Sequence, residues 1–109
     1  MNELSLFSVI LTESYIKKFR KLKLSKKDFN EVKEELQKIP KGKKFHTLTT
    51  VKPKLFYIKI TLNRVQYRVM FHIDSGNKIV RVTAIEKRDK AYNKEKFKQY
   101  REKAKEYRN

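Results

Sequence analysis

The chain has 109 residues, 39% of them hydrophobic and 12% aromatic, with only two Gly and two Pro. That composition supports one domain with a hydrophobic core, spanning residues 1–109, and excludes a disordered, collagen-like or low-complexity chain. The absence of cysteine excludes disulfides, cysteine-based zinc sites and thiol catalysis, and a formal charge of +17 calls for a polyanionic partner.

The charge is unevenly spread. Residues 25–40 carry four bases and four acids, whereas residues 41–54 carry five bases and no acid. The neutral stretch reads as a structural helix, and most of the positive field belongs to the residues after it. Near the amino terminus, the apolar run Leu4 to Leu11 is broken by Ser5 and Ser8. It is too short to span a bilayer and no basic stretch precedes it, so no membrane partner is expected and the cytoplasm is the expected compartment.

In chain order, Leu6 to Leu11 reads as a short strand. Thr12 can cap a helix through Leu22, with Tyr15, Ile16, Phe19 and Leu22 at helical spacing. Ser25 and Asp28 resemble a capping box, and Phe29, Val32, Leu36 and Ile39 form one apolar stripe on a second helix that Pro40 ends. The two helices form a hairpin. The period then changes. Phe45 to Thr50 reads as a strand, and residues 51–54 (Val51, Lys52, Pro53, Lys54) as a turn or edge. Leu55 to Leu62 alternates, with Phe56, Ile58, Ile60 and Leu62 on one face. Asn63-Arg64 is the expected turn. Val65 to Ile73 alternates again, and residues 74–77 (Asp74, Ser75, Gly76, Asn77) form a strong turn signal. Lys78 to Glu86 is β-branched on both faces, as a central buried strand would be. A last helix is expected over 93–108, with Phe97, Tyr100, Ala104 and Tyr107 as its apolar stripe and basic residues on its other faces. A helix hairpin and then an antiparallel meander make an α+β plan.

The alternation places Tyr57, Lys59, Arg68 and His72 opposite the apolar stripes of two adjacent strands, with Lys87-Arg88 and Tyr92 just beyond the last β run. If the strands pair in sequence order, these groups converge on one patch that needs no carboxylate. Arg and Lys bind phosphate and stabilise the extra charge of a phosphoryl-transfer transition state. Tyr can stack on a base or move a proton. Such a patch suits cleavage of RNA through its own 2′-hydroxyl. The two histidines, His46 and His72, cannot by themselves make a histidine-rich metal site, so two-metal hydrolysis is not expected, and no cofactor is. Each residue also has a plainer reading. Arg68 can pair with Glu86, Lys59 can be a solvated strand lysine, Tyr57 and Tyr92 half-buried aromatics, and His72 a satisfied sheet histidine. His46 reads as structural or solvent-facing.

Three stretches resemble the RelE/ParE superfamily of toxins from type II toxin–antitoxin modules. They are residues 55–60, Leu55 to Ile60; residues 67–74, containing the Tyr67-Arg68 pair; and residues 84–88, Ala84 to Arg88, with Tyr92 shortly after. The resemblance implies a single RelE-like domain, in which an amino-terminal strand and helix hairpin pack on a twisted antiparallel sheet, with a carboxyl-terminal helix. In the RelE branch it implies a ribosome-dependent, metal-independent endoribonuclease (an mRNA interferase) that leaves a 2′,3′-cyclic phosphate and a 5′-hydroxyl and so inhibits translation. It assigns Arg68 to steadying the phosphate, Arg88 to the transition state, Lys59 to phosphate binding or proton abstraction, and Tyr92 to orienting the substrate. Tyr57 stands where some members have a second lysine, so His72 becomes a candidate acid or base. Tyr57, Lys87 and Lys54 are candidate RNA-binding residues. The implied partners are mRNA in the ribosomal A site and an antitoxin whose acidic segment shields the basic face in a hetero-oligomer. The alternatives are a ParE-like inhibitor of DNA gyrase and a non-catalytic basic RNA-binding module.

Overall fold

The computed structural model describes residues 4–88 and Glu102. Tyr92 and the helix expected over 93–108 therefore lie outside the described residues, apart from Glu102, which is helical. Five strands and two helices come in the order β1 (Ser8–Leu11), α1 (Glu13–Lys21), α2 (Lys26–Gln37), β2 (His46–Thr49), β3 (Leu55–Leu62), β4 (Val65–Asp74) and β5 (Ile79–Lys87). All seven were expected in kind and order, with ends that differ by a residue or two. Helices fray and strands end where pairing ends, so such differences are small.

The helices are set by their first residues. The Thr12 hydroxyl accepts from the Tyr15 N–H at 3.3 Å and donates to the Val82 carbonyl at 2.7 Å. One side chain thus caps α1 and ties it to β5. At α2 the expected capping box is present: the Ser25 hydroxyl accepts from the Asp28 N–H, and the Asp28 carboxylate accepts from the Ser25 N–H, both at 3.1 Å. Asp28 also accepts from the Asn63 side chain at 3.2 Å, which fastens the helix start to the β3–β4 turn. The backbone donor of Ser25 is the largest cause that holds the Asp28 carboxyl below its usual range. In that turn Asn63 and Arg64 have φ of 51° and 67°, the left-handed pair that a two-residue hairpin loop requires.

The strands lie in the order β1-β5-β4-β3-β2. β2 to β5 pair antiparallel as expected, but β1 runs parallel to β5, so the sheet is mixed rather than antiparallel. The physical reason is connectivity. β1 is followed by a helix hairpin that carries the chain to β2 at the far edge of the sheet, running opposite to β1, and three antiparallel pairings from β2 then bring β5 beside β1 in the same direction. β5 lies between β1 and β4 and is central, as its two-sided apolar composition indicated. Its register with β4 contains one irregularity. Met70 stands opposite Ala84 and Phe71 opposite Val82, so Thr83 is an extra residue in the ladder.

Both helices cover one face of the sheet. Tyr15, Phe19, Val32, Leu36 and Ile39 pack there with Ile58, Val69, Phe71, Val80, Val82 and Ile85, all buried. Phe29 joins the helices, with its ring edge-on to Phe19 at 5.1 Å. A second, smaller apolar cluster of Leu55, Met70 and Ala84 lies on the other face, with Leu48 and Tyr57 packed against it. Among the described residues no helix is long and apolar enough to cross a membrane.

Candidate nucleic-acid interface

The face of the sheet away from the helices carries the residues that the alternation singled out. Lys59 of β3 stands directly opposite Arg68 of β4, and Arg68 directly opposite Glu86 of β5. Side chains so placed are neighbours, with Cβ atoms about 5 Å apart. On the row beside it, Tyr57 stands opposite Met70 and Met70 opposite Ala84. Continuing away from Lys59, His72 stands opposite Arg81. In the other direction, Arg88 closes the face at Gln66. Its backbone N–H donates to the Gln66 carbonyl at 2.9 Å and its guanidinium to the Gln66 side-chain oxygen at 3.0 Å. Gln66 and Arg68 are two residues apart on one strand, so Arg88 is anchored about 7 Å along β4 from Arg68.

These groups differ in their exposure. Lys59 and Arg88 are exposed, and Tyr57 is half-buried. Arg68 is only 8% exposed and His72 only 3%. The Arg68 guanidinium carbon lies 5.4 Å from the centroid of the Tyr57 ring, within range of a cation–π contact. Arg68 thus holds Tyr57 from one side. From the other, His46 stacks on Tyr57 with ring centroids 5.0 Å apart and planes inclined by 24°. Farther along the sheet, Arg81 donates to the Asp74 carboxylate at 3.0 Å. Asn77 donates to the same carboxylate through both its backbone and its side chain, at 3.1 and 2.9 Å. The Asn77 donors, with Arg81 behind them, bring the Asp74 pKa down to about 2.

Two expectations change here, and the plainer reading of Arg68 is met in register: Glu86 belongs to the patch. Glu86 stands across from Arg68, while Arg88 is engaged by Gln66. Lys87 pairs with Tyr67, whose ring lies in the helix-side core, so Lys87 belongs to the opposite face from Arg88. Adjacent residues of an extended chain face opposite ways, and the extra residue at Thr83 decides which of the two shares the Arg68 face, because it shifts the alternation of β5 by one position. His72 lies on the expected face but is buried, and does not present its imidazole to solvent. Lys54 is exposed and precedes β3 without pairing in the sheet. Tyr92 lies outside the described residues. His46 and Gln66 were not singled out. The partnership of His46 with Tyr57 comes from the β2–β3 register, which an irregularity between Thr47 and Thr49 hides from simple alternation.

Among the described residues no group of three His, Cys, Asp or Glu side chains could hold a metal ion. A cleft of about 570 Å³ lies elsewhere, lined by Lys23, Lys27, Asp28 and Asn63 beside the start of α2. Compared with models of known protein families and with curated protein sequences, the chain matches none.

Proposed function

We propose that this protein is the toxin of a type II toxin–antitoxin module of the RelE kind, an endoribonuclease that cuts mRNA in the ribosomal A site. The observation that carries the reading is the cationic row. Lys59 stands opposite Arg68, and Arg88 is tethered one pleat further along the same strand. Two of these cations are exposed on a face that also bears an aromatic ring, Tyr57, two residues from Lys59 on the same strand. In the reaction the RNA 2′-hydroxyl loses its proton as its oxygen attacks the adjacent phosphorus, and the 5′-oxygen leaves and gains a proton in exchange, which yields a 2′,3′-cyclic phosphate and a 5′-hydroxyl. Lys59 and Arg88 meet the charge that builds on the non-bridging oxygens. Arg68, packed beside Tyr57, positions the ring and contributes its charge from below. His72 has no proton-transfer role in this reading, because its side chain is buried. The ribosome supplies the alignment of the message, which is worth much of the barrier in an intramolecular attack. A net charge of +17 suits an antitoxin with an acidic segment that folds over this surface.

The test is to map mRNA 5′ ends after adding the purified protein to a translating extract and, separately, to naked RNA. Wild type is run beside Lys59→Ala and Arg88→Ala, whose exposed side chains can be truncated with little effect on the fold. New ends that need ribosomes and fade in both variants are the expected result. Cuts on naked RNA discard the ribosome as cofactor.

One observation favours a second reading, binding without cutting: Arg68 and His72 are both buried, and a carboxylate stands across from Arg68. A binding-only module gives no new ends. Its affinity for single strands falls with salt at about −0.7 per phosphate neutralised, on a log–log scale. No ends and no binding return the choice to the gyrase-inhibitor alternative.

A further inference from the structure

His46 is an exposed aromatic residue on this face that the cleavage reading leaves unused. It is the first residue of β2, which is an edge of the sheet. One face of its imidazole rests on Tyr57 at 5.0 Å, and Arg68 backs Tyr57 at 5.4 Å. The residue is nonetheless exposed, so the stack ends at solvent on the sheet edge. Three planar groups from three adjacent strands are held in sequence by the register rather than by a loop. A platform ordered in this way does not pay to be organised when a further ring is added.

The surroundings indicate what that ring belongs to. Lys41, Lys44, Lys52 and Lys54 flank β2 on both sides in the chain and are all exposed. No acid occurs between residues 41 and 54. Lys43, the fifth base of that stretch, is tied at 2.9 Å to Glu35, which fixes the approach to β2 against α2. A stacking surface bordered by lysines is the combination that binds a single strand, with bases on the rings and phosphates on the cations.

We propose that His46 forms the outer end of a stacking site, His46–Tyr57–Arg68, which takes an unpaired nucleobase of single-stranded RNA. This inference rests on the RNA reading above but not on cleavage. In a cleaving enzyme the site would hold a base neighbouring the scissile phosphate, and in a binding module it would hold the strand alone. His46 is then a positioning residue and performs no chemistry.

The test uses the full chain and two short fluorescent strands. Both carry 2′-O-methyl riboses, so that they are bound but not cut. One is an oligouridylate and the other has the same backbone with its bases removed. His46→Ala is expected to weaken binding of the oligouridylate by about 5- to 150-fold, the range for one stacked base. It should leave the abasic strand unchanged. His46→Phe should restore the lost affinity, since it keeps the ring and removes the polar nitrogens. Thermal melts of all three proteins establish that the fold is retained. An equal loss on both strands, no loss on either, or failure of folded His46→Phe to restore binding overturns the proposal. The cleavage reading fails separately. A wild-type protein that binds bases through His46 yet cuts nothing keeps this site and removes the nuclease. A protein that cuts mRNA while His46→Ala binds both strands normally does the reverse.

Discussion

Replacing Arg68 by alanine should cost this protein stability as well as function, and the two losses can be separated. The side chain is 8% exposed in the middle strand of the sheet, with its guanidinium 5.4 Å from the Tyr57 ring centroid. Truncation removes two buried methylenes at about 0.8 kcal/mol each. It also removes a partly desolvated cation–π contact worth about 0.5–2 kcal/mol. Together these give about 2–4 kcal/mol out of a total stability of about 5–15 kcal/mol. The melting temperature should fall by about 10–20 °C for a domain of this size, with the protein still folded at room temperature. Arg68→Lys retains charge and stem but loses the planar group beside Tyr57, and should cost about 1 kcal/mol. Lys59→Ala, at an exposed position, should stay within about 0.5 kcal/mol of wild type. Far-ultraviolet circular dichroism on heating and in urea measures all three. If Arg68→Ala melts with wild type, the guanidinium is not packed as described, and the argument that Arg68 positions Tyr57 fails with it. If the expected drop is found, loss of toxicity in Arg68→Ala cannot by itself be read as chemistry, and Lys59 and Arg88 are the residues on which the nuclease reading stands.

Two further outcomes concern buried and paired groups. The Tyr15 hydroxyl is buried with no hydrogen-bond partner among the described residues, and burial pushes its pKa up. Tyr15→Phe removes the desolvation cost without opening a cavity, so urea denaturation should show a gain of about 1 kcal/mol; a loss of similar size would mean that the hydroxyl is bonded. Asp74 has its pKa lowered from 3.8 to about 2 by Asn77 and Arg81. A group depressed in the folded state contributes stability that is complete above its unfolded value and is lost as the pH falls through its folded value. Wild-type stability should therefore decline from about pH 4 toward pH 2 in part through Asp74, and Asp74→Asn should be less stable at neutral pH and show a shallower acid decline. Parallel curves for the two proteins would show that the turn draws nothing from this carboxylate.

The elements legible in the sequence are those whose signals are local. Ser25 and Asp28 announce α2 through a capping box, and Asn63-Arg64 announces a hairpin. The alternation of β3 and β4 placed Lys59 and Arg68 on one face, and their direct opposition results from a hairpin with a two-residue turn. What could not be read is non-local. The pairing of β1 with β5 joins residues about seventy positions apart, and nothing in either strand states its direction. The side on which Lys87 falls depends on Thr83, an irregularity that leaves no distinct mark in a run already β-branched on both faces. The burial of His72 depends on packing across the sheet, so period alone placed its face but not its depth.

The extra residue in β5 also sets how the chain tolerates changes of length. In a regular two-sided strand, losing one residue inverts everything beyond the break: core side chains turn to solvent and surface cations turn inward. β5 has an interior position where that rule is suspended. Removing Thr83 would close the ladder between Val82 and Ala84 and leave every other side chain on its present side, with Glu86 and Arg88 still facing Arg68 and Gln66. The same one-codon deletion at Val82 or Ala84 would also remove a side chain from one of the two apolar clusters. Thr83 is buried, so its loss is not free of packing cost, but within this strand it is the position whose removal keeps the register of its neighbours, and an insertion at a regularly paired neighbour would have no such refuge.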